Sequence, residues 1–383
     1  MKHDGIGVNE IARRLGIRKT TIIGWLKLGS YEERRGWKQG RRAYTAIEEE
    51  RVASLKRERI DGKKYFLGAP YIRMDYAKRF PDDPCPSLWF IKDVVRRHGL
   101  QTRQPKKRSK EQNIVSRLKF PMRSVVNLGK IQQASDFIGK KYIAGRTEPI
   151  SLFSTSYYQW LSLYQVWRVP AEKAENAILC LSELWKQFPI PNVMRMDNGM
   201  TFRGTGRAEA HIGRCLTFLL NRDVIPLFSC PYQSYTNPHI EGHNRTFTEK
   251  VWSAQHFTSD EQIDTECARF NAESEEFCRW NFKGRLDGRA LHFLPKTSEP
   301  SGSEILRSAK GKKICFIRFV ERWKEKGDEC GIVILNRFVC VPDPYLNQYV
   351  FVTVDMESSS VKIITEHDGQ TTQILHQRFP YTL

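Results

Sequence analysis

The sequence has no run of about 18 apolar residues, so hydropathy gives it no membrane-spanning helix. Its opening, Met1-Lys2-His3-Asp4-Gly5, lacks the apolar stretch that a secretory signal requires. Nine cysteines are scattered without a CxxC pair or any Cys/His spacing that suits zinc. An odd count with no framework reads as reduced thiols in a cytosol-like compartment, so a cytoplasmic location is expected.

What is present is positive charge, unevenly placed. The 383 residues are 40% hydrophobic and 27% charged, a globular composition long enough for several domains. The formal net charge is +19, yet residues 1–123 hold 31 Lys and Arg against 14 Asp and Glu, and the remainder is close to neutral. A basic third attached to a balanced body suggests a polyanion-binding arm. A merely solubilising surface would not need that asymmetry.

Residues 8–27 (VNEIARRLGIRKTTIIGWLK) read as a helix-turn-helix. Val8, Ile11, Ala12 and Leu15 share one face of a first helix, and Gly16 follows where a tight turn is needed. Thr20 or Thr21 is expected to cap a second helix whose inward residues are Ile22 and Trp25. That helix would lie in the major groove of double-stranded DNA, with Arg18, Lys19 and Thr20 near phosphates or base edges. The plainer alternative is two short helices of any small bundle.

Residues 45–100 repeat the theme. Thr45 begins a helix through Ile47, Val52 and Leu55. Ile72 to Phe80 make a second, and Pro86-Ser87 cap a third from Leu88 to His98, ended by Gly99. The phrase Arg96-Arg97-His98-Gly99-Leu100 resembles the end of the recognition helix in the second helix-turn-helix of bacterial insertion-sequence transposases. Arg103 to Lys110 then form a basic tether. Lys106, Lys107 and Arg108 beside Pro105 suit tracking a phosphate backbone.

From about residue 125 the texture becomes alternately β and helical. Residues 131–137 read as a strand, followed by 150–154 and 160–167. Ala171 to Phe188 is an amphipathic helix, apolar at 174, 177, 178, 181 and 185. Residues 192–196 are a short buried strand, 207–221 a helix and 225–228 another strand. A further helix starts at Asn237-Pro238, a favourable Ncap–N1 pair. Residues 259–281 form one more helix, 295–310 a linker, and an all-β pattern with closely spaced turns follows, as in a small barrel. The expected organisation is a helix-turn-helix over 1–42, a second with its basic linker over 43–110, an α/β core over 125–295 and a small β-barrel over 305–383.

The chemistry concentrates in the α/β core. Asp136 lies on its first strand, Asp197 ends its central strand and Glu241 falls in the first turn of a helix. In a sheet of this order the first and central strands are neighbours, so the acids would crowd charge that divalent cations relieve. Oxygen ligands that leave room for water and phosphate suit Mg²⁺, with Mn²⁺ able to substitute. Two such ions about 4 Å apart can activate the attacking oxygen and steady the leaving one in an in-line displacement.

The phrases around these acids resemble the catalytic core of retroviral integrases and of many insertion-sequence transposases, the DDE family. Ser135-Asp136-Phe137 is similar to its first "DF" strand. Met196-Asp197-Asn198-Gly199 with Phe202 is similar to its "DNG-x-x-F" phrase. Asn237 to Thr246 (NPHIEGHNRT) is similar to its "N-x-x-x-E-x-x-N-R-T" helix start. The resemblance covers roughly residues 125–295. It implies a ribonuclease-H-like fold with Asp136, Asp197 and Glu241 as catalytic metal ligands, cleaving DNA strands and then transferring them. Asn198 and Gly199 would shape the strand end beside the metal, and Arg245 would meet phosphate or steady the glutamate.

The chain departs from the family in a longer interval between Asp197 and Glu241, with an insertion expected around Arg203 to Arg214. It also lacks the zinc-binding N-terminal domain of retroviral integrases. His239 and His243 flank the glutamate and are expected on a helix face or in the core rather than on metal or DNA. Asp223 and Asp264 are expected at the surface. Trp323 and Lys324 to Lys326 offer either a DNA contact or ordinary surface charge. Cutting and joining involves two DNA ends, so a homo-oligomer on DNA is expected, with an accessory ATPase as a further possible partner. Two other readings share these residues: a catalytically silent DNA-binding regulator derived from a transposase, and a structure-selective nuclease.

Overall fold

The computed structural model describes residues 6–28, 44–102, 121–158, 162–204, 209–233, 236–282, 291–297, 304–367 and 370–382. The chain divides into two compact units at Ser54/Leu55.

In the first unit, α1 (Val8–Leu15) and α2 (Lys19–Leu28) pack together, burying Ile11 and Ile22. Gly16 takes φ +64° and returns its N–H to Ala12 and Arg13, a left-handed cap that a Cβ would strain. The second helix begins earlier than its threonines suggested. Thr21 N–H donates to Arg18 O at 2.9 Å, so Arg18 carries the first helical acceptor. Thr20 and Thr21 therefore sit inside the first turn, exposed beside Lys19.

The helix α3 (Ala46–Asp61) opens on a reciprocal cap. Thr45 Oγ1 accepts the Glu48 N–H at 3.2 Å, and Glu48 Oε2 accepts the Thr45 N–H at 2.8 Å. It crosses the division between the units. The second unit continues with α4 (Ala69–Arg79), carrying Pro70 in its first turn, and α5 (Leu88–Arg97), capped by Ser87 Oγ on Phe90 N–H. A short helix, α6 (Met122–Asn127), leads into the sheet.

Three antiparallel strands form a meander: β1 (Gln132–Lys141), β2 (Ile150–Tyr157) and β3 (Tyr164–Val169). Then come α7 (Ala174–Trp185), β4 (Val193–Met196), α8 (Met200–Arg203), α9 (Arg214–Leu220) and β5 (Ile225–Phe228). The chain continues through α10 (Pro238–Phe247), a π-helical turn at Thr248–Trp252, and α11 (Asp260–Phe282). β4 lies parallel to β1, and β5 parallel to β4, giving a mixed sheet with helices packed against it. The order β3-β2-β1-β4-β5 is compatible with a ribonuclease-H-like core. The helix expected over 207–221 is shorter, and Gly204 meets Gly213 so closely that a Cβ on either would collide with the other's backbone. That contact pins the base of the expected insertion.

The C-terminal strands differ from the separate barrel that was expected. They are β6 (Lys313–Phe319), β7 (Glu321–Trp323), β8 (Glu329–Ile334), β9 (Arg337–Cys340), β10 (Tyr349–Asp355), β11 (Ser360–His367) and β12 (Gln370–Arg378). β6 pairs in parallel with β5, and β10, β11 and β12 extend the same sheet to nine strands, while β7-β8-β9 form a small sheet of their own. The reason lies in β6 itself, where Ile314 through Arg318 are buried on both faces, the pattern of an interior strand rather than of a barrel stave. Phe228 stacks on Phe316 across the junction at 5.1 Å, and the apolar cluster runs continuously from Trp185 and Phe218 to Val352 and Ile363.

The helical segment α3–α5 is tied to α11 by a buried ion pair. Arg59 Nη1 donates to Glu273 Oε1 at 2.7 Å, and Glu273 also accepts the backbone N–H groups of Tyr65 and Phe66. No described helix is long and apolar enough to cross a membrane.

Candidate active site

The three acids converge on one cleft because of strand register. Ala134 of β1 pairs with Arg195 of the parallel β4, so Asp136, two residues further along β1, and Asp197, directly after the end of β4, come to the same end of the sheet. Asn237 precedes α10, with Pro238 at its start, and is held by Tyr158 Oη donating to its Oδ1 at 2.9 Å. That start puts Glu241 in the first turn, where the helix N-terminus favours a carboxylate. Asp136, Asp197 and Glu241 all line a cleft of about 660 Å³, together with Asn198, Arg203, Tyr232, Arg318 and Trp323.

Asp136 is held by a relay that reaches across three elements. Asn244, one turn beyond Glu241, donates from Nδ2 to Asp136 Oδ2 at 2.8 Å. The amide is oriented by hydroxyls: Ser154 Oγ donates to Asn244 Oδ1 at 2.7 Å and Tyr164 Oη does so at 3.1 Å. With its oxygen occupied, the amide must present its N–H₂ to the carboxylate.

Asp197 is shaped by the turn behind it. Its Oδ1 accepts Gly199 N–H at 2.9 Å. Asn198 turns the other way, donating to Ser229 O at 2.7 Å and accepting from Arg318 Nη2 at 2.8 Å. These bonds fix the turn of Asn198 and Gly199 that follows β4.

Charge in the cleft is crowded. Burial first, then the charges of Asp197 and Glu241, push the Asp136 carboxyl up to about 7, against the pull of Phe137 N–H and Asn244. Asp197 has an open edge but is walled by the cleft, and that burial raises its carboxyl while Gly199 N–H and Arg203 pull it down. Among the described residues, no three acidic, histidine or cysteine side chains form a ready-made metal cage. The donor set nonetheless fits hard divalent ions of the Mg²⁺ class, which bind through one or two carboxylates and keep water or phosphate oxygens for the rest. The electrostatic strain at Asp136 is what a cation between these acids would relieve.

The remaining expected residues fall into place variously. Arg18, Lys19 and Thr20 are exposed on the first unit. Arg96 and Arg97 are both engaged by Asp93, Arg97 at 3.0 Å. Lys106, Lys107 and Arg108 lie outside the described residues. Arg245 is exposed, with Glu249 4.0 Å away. His239 and His243 are half-buried in aromatic surroundings: His239 stacks on Tyr158 and bonds Ser156 Oγ at 2.9 Å, and His243 packs on Tyr164. Desolvation there holds both well below the ordinary histidine range, to about 4 and 3, which favours their neutral form. Asp264 lies at the surface paired with Arg168, and Asp223 is exposed beside Lys312.

Two residues of the site carried no role in the sequence reading, Asn244 and Arg318. Asn244 stands three positions after Glu241, which puts both on one helix face. Arg318 interrupts the otherwise apolar run of β6, a charge where the strand pattern calls for an apolar residue.

No family model and no curated protein matches this chain. Among the solved structures that do match is the catalytic core domain of BIV integrase in crystal form I, at 12% identity and a TM-score of 0.27. The match covers 37% of this chain and 80% of that one. At that level it assigns no residue of the site.

Proposed function

We propose that this protein is a DDE-type DNA transposase, a polynucleotidyl transferase that cuts and joins DNA at Asp136, Asp197 and Glu241. The observation that carries the reading is that β1, the end of β4 and the first turn of α10 each bring one carboxylate to the same cleft. Nothing in fold maintenance calls for that crowding, since burying like charges together costs stability.

Bound Mg²⁺ or Mn²⁺ would supply the positive charge that polarises the attacked phosphate and favours an ionised attacking oxygen. Asp136, Asp197 and Glu241 would hold two such ions. Asn244 keeps Asp136 turned toward the cleft, and Gly199 N–H does the same for Asp197. No side chain needs to attack phosphorus. Water or a 3′-hydroxyl is the nucleophile, and positioning with electrostatics supplies most of the rate.

Sequence-specific binding of element ends belongs in this proposal to the α1–α2 pair, through Arg18, Lys19 and Thr20, and to α5 with the basic stretch that follows. Arg96 and Arg97 would exchange Asp93 for phosphate, and Arg245 is exposed for the same use. Joining two ends implies a homo-oligomer assembled on DNA, and an accessory ATPase is compatible with the scheme.

Metal binding tests the site directly. Titration of the full chain with Mn²⁺, followed calorimetrically, should show binding that Asp136→Asn and Glu241→Gln each weaken at least tenfold. Equal affinity in all three proteins would remove the metal site and the chemistry built on it.

A further inference from the structure

Arg318 is 3% exposed, yet no carboxylate answers its charge in the bonds it makes. Its Nε donates to Val333 O at 2.8 Å, Nη1 to Ser229 O at 2.9 Å and to Ile317 O at 2.8 Å, and Nη2 to Asn198 Oδ1 at 2.8 Å. All four acceptors are neutral, so the guanidinium is fixed in place without being neutralised. A buried cation of this kind is costly unless a negative group completes it. The side chain also reaches the wall of the carboxylate cleft.

Arg203 lines the same cleft from the end of α8, and its Nε is buried with no hydrogen-bond partner. Burial holds Arg318 below the ordinary arginine range; Cys230 opposes that, and the Arg203 charge adds a smaller push in the same direction as burial. Four of the five Arg318 N–H groups are taken by these protein acceptors, so Arg318 brings to the cleft wall its fixed charge and one remaining N–H, while Arg203 lines the same cleft as a second cation; together they suit an anionic phosphate.

We infer that Arg203 and Arg318 form a phosphate seat in the cleft wall, which takes a DNA backbone phosphodiester beside the one that reacts. The inference rests on the reading of this cleft as a DNA-processing site and adds the group that sets the substrate strand against it. Asn198 couples the seat to the catalytic acids, since it accepts from Arg318 and directly follows Asp197.

The test uses the full chain, a short duplex oligonucleotide and EDTA, with affinity measured by fluorescence anisotropy across a salt series. Arg203→Gln leaves the core intact and is the variant to read first. Arg318→Lys keeps the charge but loses the fork. Loss of one phosphate contact should flatten the dependence of log affinity on log salt by about 0.9 and weaken binding roughly five- to tenfold at moderate salt. An unchanged slope and affinity in Arg203→Gln would overturn the seat. Inorganic pyrophosphate serves as a second probe. If it raises the melting temperature of the wild type but not of Arg203→Gln, while the DNA slope is unchanged, the site takes free phosphate compounds and the DNA assignment is wrong. Plasmid nicking in Mn²⁺ separates this inference from the proposed function. A flattened slope in a protein that never nicks keeps the seat and removes the catalysis, and nicking with an unchanged slope does the reverse.

Discussion

Asn244 Nδ2 lies 2.8 Å from Asp136 Oδ2, joining the helix that carries one acid of the cleft to the strand that carries another. The bond makes the spacing between Glu241 and Asn244 functional, because one face of α10 delivers a carboxylate to the cleft and an amide to its neighbour. Asn244→Ala should therefore act on chemistry more than on folding. A hydrogen bond to a charged group is worth about 1.5–3 kcal/mol, so turnover should fall by roughly tenfold to a hundredfold. Losing a donor to the ionised carboxylate raises its proton affinity further, so the acid limb of the pH–rate profile should move to higher pH. A pH–rate series on the variant checks both.

The Asp136 carboxyl, raised to about 7, gives the metal-free protein a defined pH dependence. A carboxyl whose folded value lies above its unfolded value binds protons more tightly when folded. Its contribution favours the fold at low pH and is lost as pH rises from about 4 to about 7. Asp136→Asn removes that loss. In EDTA the variant should be more stable than wild type at pH 8, by on the order of 2 kcal/mol, and the difference should shrink toward pH 4. Added Mn²⁺ should stabilise wild type more than the variant. Urea unfolding at the two pH values measures this.

Glu273 supports three groups at once, Arg59 and the N–H groups of Tyr65 and Phe66. Glu273→Ala would leave the buried Arg59 with Asp75 as its remaining ion-pair partner, 2.7 Å from its Nε, and would strand the Tyr65 and Phe66 N–H groups, a loss of up to about 3 kcal/mol. Chemical denaturation should show that loss. Hydrogen exchange should show it concentrated in α3, α4 and the facing turn of α11.

The reciprocal cap of α3 is a smaller, local test. Thr45→Ala removes the acceptor for Glu48 N–H and should cost about 1 kcal/mol. Thr45→Ser should recover most of it. Thermal melts of the three proteins suffice.

The contiguous phrases made the acids legible. Asp136, Asp197 and Glu241 each sit in a short phrase that resembles the DDE family's and is tied to one local element, and the structure brings all three to one cleft. The β5–β6 junction was not legible, because apolar alternation shows that β6 is a strand but not which edge it will join. The pairing Phe228↔Phe316 is set by packing between distant segments. Arg318 was missed for the same reason: its meaning depends on Asn198 and Ser229, which reach it only through that junction. The early start of α2 reflects a boundary decided by Arg18 O, a backbone acceptor that side-chain preference does not reveal.

The most direct test of the central claim is Mn²⁺- or Mg²⁺-dependent nicking and joining of supercoiled plasmid and labelled duplex DNA, comparing wild type with Asp197→Asn. The account predicts metal-dependent nicking and joined products from wild type. Asp197→Asn should abolish both while DNA affinity in EDTA stays within about twofold, since the carboxylate itself makes none of the proposed phosphate contacts. Cleavage that persists in Asp197→Asn, or that proceeds in wild type without any divalent metal, would contradict it.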